Sequence, residues 1–350
     1  MSIQNSTLPE LLDLDYVVKN VASYWSLLNG QQILITGCTG IIGKWMLSTL
    51  NHAKCELGLN IEVVVLSRDP DVFIKLYPEL ADKQRIVWLK GDVRNFSIPQ
   101  GITPSWAIHA ATDVVSQTSQ LDVLTTCSFG THNVVSQLAA ANCKRMLMLS
   151  SGAIYGKVPS GTNGIPESFV GSVSSTNPNS AYAEGKRYAE LLCTLMGSLY
   201  NITIPMARCF AMVGPYLPLD KHFAIGNFIH SVLNKKPIVI EGDGTPIRSY
   251  LYLADVATQL WFLLFKGRST AYNIGSNQPI SIKNLAEMVI NVLDSTQSLE
   301  IQNKVLHGVH ANEYYPDTTL FSREFKLDHF ISIEESILRT ANWYSKQASC

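Results

Sequence analysis

Short apolar runs alternate with longer segments of helical periodicity from residue 32 onwards. The runs that we predict to be strands are Ile33–Ile35, Val63–Leu66, Ile86–Leu89, Ala107–Ala110, Met146–Leu149 and Ile202–Ala207. The segments between them that we predict to be helices are 41–53, 70–80, 121–142 and 181–200. Continuous apolar strands separated by helices indicate a parallel sheet that is covered on both faces. The pattern therefore predicts an α/β fold with a doubly wound parallel sheet, in which ligands bind at the carboxyl ends of the strands.

The segment before this alternation is amphipathic. Residues 8–29 carry apolar side chains at nearly helical spacing, namely Leu8, Leu11, Leu12, Tyr16, Val17, Val21 and Trp25. This spacing predicts a helix that covers the core and stops at Gly30, and binding of a partner is the alternative role for its apolar face.

The regular alternation weakens after about residue 209. Loops rich in glycine, proline and polar residues, at 214–220 and 241–246, alternate there with predicted helices at 223–234, 254–265, 281–293 and 333–345. We therefore expect a helical extension at 1–30, a doubly wound domain at 31–208 and a smaller region at 209–350. The smaller region is expected to interleave with the last elements of the sheet at about 240–275.

The composition is that of a globular protein with a large core. Of the 350 residues, 46% are hydrophobic and 16% are charged, and the net charge is −1. We therefore expect neither disorder nor general binding to nucleic acid or to an anionic membrane surface. The seven cysteines contain no C-x-x-C pair, which indicates reduced, mostly buried thiols and no metal site. Without an evident leader or apolar span, the expected location is the cytoplasm.

The first candidate site is a glycine pattern that follows the first predicted strand. Gly37, Gly40 and Gly43 form G-x-x-G-x-x-G between that strand and the next predicted helix. The first glycine permits a tight turn, the second lets a pyrophosphate approach the backbone, and the third lets the helix pack closely on the strand. In this strand–turn–helix context the pattern indicates a dinucleotide site, and so a Rossmann-type domain at 31–208.

The end of the second predicted strand bears on which dinucleotide is bound. A carboxylate at this position holds the ribose 2′-hydroxyl of NAD, whereas an arginine accommodates the 2′-phosphate of NADP. Ser67 occupies the position of the carboxylate and Arg68 follows it, which favours NADP over NAD. If Asp69 holds the ribose instead, NAD is the expected cofactor.

The candidate reaction centre combines two segments of the chain. Tyr182 and Lys186 are four residues apart on a predicted helix and therefore share a face. An ammonium group beside a phenol is expected to lower the pKa of the phenol, so that Tyr182 can exchange a proton while a hydride moves to or from the cofactor. This spacing is common on helices and carries little alone. Ser151, just beyond the strand Met146–Leu149, can bond the same reacting oxygen and makes the combination informative.

Together these residues resemble the extended short-chain dehydrogenase/reductase superfamily, in its branch of nucleotide-sugar epimerases, dehydratases and reductases. The resemblance runs from about Gln32 to Trp343 and includes the further segments 91–93, 109–112, 208–210, 213–215 and 272–275. It implies NADP or NAD as cofactor, bound by Gly37, Thr39, Gly40, Ile41, Ile42, Gly43, Ser67, Arg68, Asp92, Val93, Ala110, Ala111, Thr112, Tyr182, Lys186 and Phe210.

The second half of the chain carries the resemblance to binding of a nucleoside-diphosphate sugar. Asn227 is similar to the family asparagine that contacts the substrate diphosphate, and Arg248 is similar to its phosphate-binding arginine. An arginine fork suits a diphosphate because it donates two charge-assisted hydrogen bonds. With Ser151, these are the substrate residues that the resemblance implies. It also implies a homodimer formed through segments 121–142 and 181–200. Asp255 is predicted to cap the helix that follows, with no catalytic role.

Some positions depart from the family pattern and restrict the reaction. Sugar-nucleotide 4,6-dehydratases carry an Asp-Glu pair where this chain has Gly152 and Ala153, and decarboxylases usually keep a glutamate there. Glycine and alanine transfer no proton, so the sequence disfavours both reactions. Cys127 and Ala211 each replace a family asparagine, and segment 310–317 lacks the usual arginine near the nucleotide. No nucleobase preference therefore follows.

The leading hypothesis is carbonyl–alcohol chemistry at C4 of a nucleoside-diphosphate sugar. Tyr182 would act as acid and base, Ser151 would polarise the oxygen, and Lys186 would tune both. Arg68 favours a 4-ketoreductase that consumes NADPH and makes a deoxysugar precursor of a surface polysaccharide. The alternative is a 4-epimerase that retains its cofactor. Weaker alternatives are a 4,6-dehydratase, a reductase of non-nucleotide alcohols, and a dinucleotide-binding module without catalysis.

Overall fold

A computed structural model describes residues 8–81, 86–112, 119–221, 223–293, 296–304, 312–327 and 330–348 of the chain. The strands, in chain order, are β1 Gln32–Thr36, β2 Glu62–Ser67, β3 Ile86–Lys90, β4 Trp106–His109, β5 Arg145–Ser151, β6 Met206–Cys209, β7 Met212–Val213, β8 Ile238–Ile240, β9 Ile247–Arg248, β10 Leu251–Tyr252, β11 Ala271–Ile274, β12 Ile280–Ser281, β13 Leu299–Ile301 and β14 Glu313–Tyr314.

The helices alternate with these strands. The α-helices are α1 Leu11–Asn20, α2 Ile41–Glu56, α3 Pro70–Leu76, α4 Gln120–Thr125, α5 Thr131–Ala140, α6 Ala181–Tyr200, α7 Ala224–Leu233, α8 Leu253–Lys266, α9 Ile282–Leu293, α10 Thr319–Phe325 and α11 Ile333–Ala348. Short 3-10 helices span Trp25–Leu28, Gly152–Tyr155 and Pro178–Ser180, and a π-helical segment spans Thr126–Gly130.

A parallel sheet forms the centre of the molecule. In the described part of the chain it has seven strands in the order β11-β6-β5-β4-β1-β2-β3, and each neighbouring pair is parallel. The chain direction across the sheet reverses between β1 and β4, which opens a crevice at the carboxyl ends of those strands. The predicted α/β fold with a doubly wound, Rossmann-type sheet is confirmed.

Successive residues of the central strands face opposite layers of helices. Ile33 and Ile35 belong to a core that also contains residues of α2 and α8, whereas Leu34 and Val64 belong to a second core with residues of α5 and α6. This alternation follows from the two-residue period of a strand. Because both faces are covered, the polar residues at the carboxyl ends of the strands are held between two packed layers.

The N-terminal segment differs from the single helix predicted at 8–29. The structure divides it into α1 and the 3-10 helix Trp25–Leu28, and the indole of Trp25 donates a hydrogen bond to the carbonyl of Val18 at 3.1 Å. Leu11 and Leu12, predicted to face the core, are 63% and 65% exposed. The predicted stop is correct, since Gly30 has φ +73° in the turn before β1.

Two further predicted elements are corrected. The strand predicted at Ile202–Ala207 begins only at Met206, because Pro205 has no N–H for the sheet and the Ile202 amide bonds back to Gly197. The helix predicted at 121–142 is divided by the π-helical segment Thr126–Gly130. A π-helical turn inside an α-helix often marks a functional site, because it changes which side chains face the neighbouring element.

The smaller strands of the second half form sheets of their own. One of them has the order β12-β9-β14, and in the parallel pair β9–β14 Arg248 is in register with Tyr314. This pairing brings two segments that are distant in sequence next to the carboxyl edge of the central sheet.

Candidate active site

The glycine loop between β1 and α2 is closed so tightly that side chains are excluded from two of its glycines. Gly37 has φ +74°, and a Cβ there would lie 2.4 to 2.6 Å from the backbone of Ala110 and Ala111. A Cβ on Gly43 would lie 2.2 Å from the carbonyl oxygen of Gly37. The turn and the close helix–strand contact that the sequence predicted are therefore both present.

The start of α2 has the features that suit a pyrophosphate. Gly40 is the residue before the helix, and no side chain caps the first turn. Thr39 and Gly40 are exposed, and Ile41 and Ile42 are half-buried. Backbone amides at a helix N-terminus, with the positive end of the helix dipole, bind phosphate groups. The residues present thus fit the diphosphate of a dinucleotide.

At the end of β2, each charged group predicted to select the cofactor has a protein neighbour. Ser67 is buried, whereas Arg68 and Asp69 are exposed. The amide of Val72 donates to the Asp69 carboxylate at 3.5 Å, so Asp69 caps α3. The positive charge of Arg68 acts on Asp92. This corner therefore does not decide between NAD and NADP.

The Asp92–Val93 pair lies at the end of β3. The guanidinium of Arg94 donates to both oxygens of Asp92, at 2.9 and 2.8 Å, and these bonds lower the pKa of the carboxyl. Val93 is buried, and its carbonyl accepts a hydrogen bond from Asn133 at 2.9 Å. The segment is fixed in place by polar contacts with the protein itself.

The end of β4 lies beside the glycine loop. His109 is buried, with Nδ1 2.8 Å from Thr36 Oγ1 and Nε2 3.1 Å from Thr131 Oγ1. Burial lowers its pKa to about 3, assisted by the charge of Lys186, so the imidazole is neutral. The amide of Ala110 donates to the carbonyl of Thr36 at 3.1 Å. These bonds hold the loop of residues 110–112 against Gly37.

The structure brings together the three predicted catalytic residues. Tyr182, in the first turn of α6, lies beside Ser151 at the end of β5, whose hydroxyl favours the ionised form of the phenol and so lowers its pKa. Lys186 donates from Nζ to the carbonyl of Leu149 at 2.6 Å and lies 6.0 Å from the centroid of the Tyr182 ring. The hydroxyl of Ser151 also accepts a hydrogen bond from the amide of Ala153 at 3.1 Å, which fixes its position.

The pKa of Tyr182 differs from the expectation. We expected Lys186 to lower it, but burial raises the pKa of Tyr182 to about 12, and the hydrogen bond with Ser151 offsets only part of this. Burial likewise lowers the pKa of Lys186. The expected direction was wrong because the sequence pattern gives the spacing of the two groups and not the cost of removing them from water.

Gly152, the first of the two positions at which we expected dehydratases to carry an acid, is closed by aromatic rings. A Cβ on Gly152 would lie 2.4 Å from the phenol oxygen of Tyr314 and 2.8 Å from Cζ of Phe210, whose rings lie 4.9 Å apart. Tyr314 was not among the predicted site residues. The aromatic pair at 314–315 was its only signal in the sequence, because the β9–β14 pairing that delivers it is a long-range contact.

The two predicted substrate residues lie in different settings. Arg248 donates from Nη1 to the carbonyls of Ile247 and Asn312, at 2.7 and 2.8 Å, and its guanidinium lies 5.7 Å from the Tyr314 ring centroid. Arg248 is thus linked to the reaction centre through Tyr314. Asn227 is exposed on α7. Within the described part of the chain, no hydrogen bond joins its side chain to the candidate catalytic residues.

The structure also shows the surroundings of Cys127, which departs from the family pattern, and of Asp255, which was predicted to cap a helix. Cys127 lies in the π-helical segment, 3.6 Å from Thr112 Oγ1, and packs so closely on α6 that a Cβ on Gly185 would lie 2.8 Å from its own Cβ. Asp255 does not cap α8, which corrects the prediction. Its buried carboxylate accepts hydrogen bonds from Tyr16 at 2.6 Å and from the amide of Ile331 at 3.0 Å.

Most of the chain matches a known protein family. Residues 33–275, more than half of the chain, match the NAD dependent epimerase/dehydratase family. This chain belongs to that family. The resemblance to extended short-chain dehydrogenases/reductases, which the sequence indicated, is confirmed.

Relatives in the family carry out different reactions on nucleotide sugars. A UDP-glucuronate 4-epimerase of Thermodesulfobacterium geofontis (strain OPF15) is 27% identical over 322 residues, covering 89% of this chain and 95% of that protein. UDP-glucuronic acid decarboxylase 1 of Arabidopsis thaliana is 24% identical over 308 residues, covering 88% and 68%. The chain is thus an enzyme of the nucleotide-sugar epimerase/dehydratase type. Neither relative supports the predicted 4-ketoreductase.

A solved structure agrees with the fold. The dTDP-glucose 4,6-dehydratase of Bacillus anthracis str. Ames, in complex with NAD, superposes with a TM-score of 0.73 at 19% identity, covering 91% of this chain and 98% of that one.

Within the described residues, no helix is long and apolar enough to cross a membrane. No cluster of three or more histidine, cysteine or acidic side chains suited to a metal occurs there either.

Proposed function

We propose that this enzyme is a nucleotide-sugar 4-epimerase that retains NAD through each turnover. The observation that carries the proposal is a Ser151–Tyr182–Lys186 centre beside Gly152 and Ala153. This set of groups can move a proton at an alcohol or keto oxygen, but it offers no carboxyl for elimination or decarboxylation. The 4-epimerase relative, which this chain covers almost completely, supports the same reaction.

The residues of the chain divide the work at the sugar carbon. Bound NAD would supply the hydride acceptor and donor. Tyr182 is the proton-transfer group, and its raised pKa favours the neutral phenol that donates a proton to a keto oxygen. Ser151 orients that oxygen through its hydroxyl, which is fixed by the amide of Ala153. Lys186, whose Nζ lies 6.0 Å from the centroid of the Tyr182 ring, would stabilise the phenolate form, in which Tyr182 can take a proton from the sugar hydroxyl in the opposite step.

The substrate would span Arg248 and the catalytic centre. Arg248 suits the diphosphate, and Asn227 is its proposed partner on α7. Tyr314 lies between Arg248 and Gly152, so the sugar ring would lie against this phenol. UDP-glucuronate is the first sugar nucleotide to try, because it is the substrate named for the 4-epimerase relative.

A 4-ketoreductase remains the second candidate. Arg68, at the end of β2, is the observation that favours it, because an arginine there accommodates the 2′-phosphate of NADP. Asp92 argues against it, because the positive charge of Arg68 already interacts with the Asp92 carboxylate.

We also propose a homodimer formed through α6 and its neighbours. An exposed apolar stripe runs along α6 and continues on α4 and the π-helical segment, formed by Tyr188, Leu191, Leu195, Leu199, Leu121 and Phe129. The four α6 residues are spaced by three or four positions and share one face of the helix. A contiguous apolar patch of this kind suits a second copy of the same helices, packed as a bundle.

The deciding experiment follows both product and cofactor. The purified enzyme is incubated with UDP-glucuronate and catalytic NAD, and nuclear magnetic resonance identifies the product while absorbance at the NADH band reports redox change. We expect the C4 epimer without net NADH formation. Release of carbon dioxide or water would contradict the assignment, and stoichiometric oxidation of NADPH by a 4-keto-6-deoxy sugar nucleotide would favour the reductase.

A further inference from the structure

A buried ion pair lies directly behind the candidate reaction centre. Glu190 is on α6, one turn beyond Lys186, and both side chains are buried. The Glu190 carboxylate accepts a hydrogen bond from Ser150 Oγ at 2.5 Å, and Arg208 donates to it from Nη2 at 2.7 Å and from Nε at 3.0 Å. A planar guanidinium that binds both oxygens fixes the carboxylate in one orientation.

Three successive turns of α6 face three successive residues at the end of β5. Tyr182 lies beside Ser151, Lys186 donates a hydrogen bond to the carbonyl of Leu149, and Glu190 accepts one from Ser150. The third contact is the one anchored by a charge pair. It therefore sets how the helix that carries the phenol and the ammonium lies against the strand that carries the catalytic hydroxyl.

The guanidinium of Arg208 also reaches the other side of Ser151. Its Nη1 donates to the phenol oxygen of Tyr155 and to the carbonyl of Glu167, both at 2.9 Å. Tyr155 ends the 3-10 turn that follows Ser151, and its hydroxyl donates to Asn273 on β11 at 2.8 Å. The ion pair thus holds the residue before Ser151 and the turn after it.

We propose that Glu190 and Arg208 are positioning residues for proton transfer at Ser151 and Tyr182. The proposal rests on the proposed function, because it presupposes hydride-coupled chemistry at that centre. Both side chains are already bonded to other groups of the protein, so we assign neither of them a direct contact with the substrate.

The electrostatic surroundings of Lys186 give the proposal a second readout. The titratable groups that face it are Tyr182, Glu190 and Cys193 on α6, Cys127 in the π-helical segment, Cys209 on β6 and His109 on β4. Burial lowers the pKa of Lys186, whereas the three cysteines and, with a smaller effect, Glu190 act in the opposite direction. Among these described groups Glu190 is the only carboxylate, so its removal is expected to lower the pKa of Lys186 further.

The test compares Glu190→Gln with Glu184→Gln. Glu184 is on the same helix, but its carboxylate lies in a half-exposed ion pair with Arg187 at 3.6 Å. In Glu190→Gln we expect kcat for epimerisation to fall by about 10- to 100-fold, as small misplacements of catalytic groups do, with KM and NAD affinity nearly unchanged. The alkaline limb of the kcat–pH profile should move to lower pH. Glu184→Gln should match the wild type in each respect.

Two further variants separate positioning from folding. Glu190→Gln leaves Arg208 buried without its counter-charge, whereas the double variant with Arg208→Gln removes both charges and should fold, with kcat still reduced. Glu190→Asp keeps the charge but shortens the reach, so kcat should fall while the alkaline limb stays in place.

The proposal is overturned if the folded double variant has wild-type kcat, or if Glu190→Gln and Glu184→Gln have the same kcat and pH profile. A wild-type enzyme that turns over no nucleotide sugar would instead refute the proposed function, while NAD binding and melting would still report the fold.

Discussion

At the scale of single residues, backbone atoms hold two side chains of the candidate site in place. Lys186 is held by the carbonyl of Leu149, and Ser151 by the amide of Ala153. Such contacts fix these two candidate catalytic groups without any ligand. Substitutions that keep the shape of a side chain but remove one atom are therefore the cleanest tests.

Tyr182→Phe removes the proposed proton-transfer group and its hydrogen bond with Ser151. We expect kcat to fall by about 100- to 10,000-fold, the usual contribution of a positioned acid or base. NAD binding, followed by fluorescence, should persist because the glycine loop is unaffected. Tyr200→Phe, on the exposed end of the same helix, is the matched control. Wild-type turnover by Tyr182→Phe would exclude this tyrosine as the acid and base.

Gly152→Ala adds one methyl group where Phe210 and Tyr314 leave no room. We expect a loss of about 1–3 kcal/mol of stability, typical of overpacking, together with reduced kcat. Gly242→Ala is the control, because a Cβ there meets nothing within 4 Å. Adding Tyr314→Phe removes the oxygen that lies closest and should restore part of the stability. Thermal melts that place Gly152→Ala level with the control would show that the rings yield freely.

At the scale of elements, local pattern predicted what local physics determines. The apolar runs predicted the strands β1 to β5, and central strands such as β1 and β5 are apolar because both of their faces are buried. The glycine spacing gave the loop before α2, because only glycine fits at Gly37 and Gly43. Tyr182, Lys186 and Ser151 could be predicted to lie close together, because the helix period and the strand end set their positions.

Features that depend on long-range contacts were not predictable in this way. Tyr314 reaches the site through a two-residue pairing of β14 with β9, which leaves no periodicity to detect. The Glu190–Arg208 pair joins α6 to β6 through side chains that read as an ordinary helix charge and an ordinary strand end. The π-helical segment at Thr126–Gly130 is likewise invisible, because its sequence has the apolar spacing of a continuous helix.

The exposed stripe on α6 leads to a prediction about assembly. Leu195, at its centre, is 60% exposed, and an aspartate there would bring a charge into the proposed helix bundle. By light scattering, we expect the wild type to be a dimer and Leu195→Asp to be a folded monomer. Leu12→Asp, at a 65% exposed position on α1, serves as control. If Leu12→Asp dissociates the dimer and Leu195→Asp does not, the interface lies on α1 instead.

At the scale of the whole molecule, the first and last helices, α1 and α11, are both linked to the region of α8 by buried polar contacts. Asp13 of α1 accepts a hydrogen bond from Tyr252 at 2.6 Å, just before α8, and forms an ion pair with Arg339 of α11. Asp255 of α8 accepts from Tyr16 of α1 and from the amide of Ile331, just before α11. Separate parts of the chain therefore meet at two buried carboxylates, whose protonation couples the stability of the molecule to pH.

The sign of this coupling follows from Asp255. Burial raises its pKa from 3.8 to about 7. In the unfolded chain the group releases its proton at lower pH than in the folded protein, so between these values the folded state binds more protons. The free energy of unfolding must then fall as pH rises through this window, and the contribution is fully lost above about pH 7. Hydrogen bonds from Tyr16 and Ile331 limit the shift by favouring the charged form.

Asp255→Asn removes this titration and should flatten the pH dependence of stability. From about pH 5 to about pH 8, we expect the wild type to lose on the order of 2 kcal/mol more than the variant does, as measured by urea unfolding. Asp71→Asn, an exposed aspartate on α3, should keep the wild-type slope. Asp255→Asn itself should be less stable than the wild type near pH 5, because the amide nitrogen of asparagine cannot accept the hydrogen bond that the Ile331 amide donates. Parallel pH profiles for Asp255→Asn and the wild type would mean that Asp255 is already ionised throughout the window, and that its two hydrogen bonds outweigh its burial.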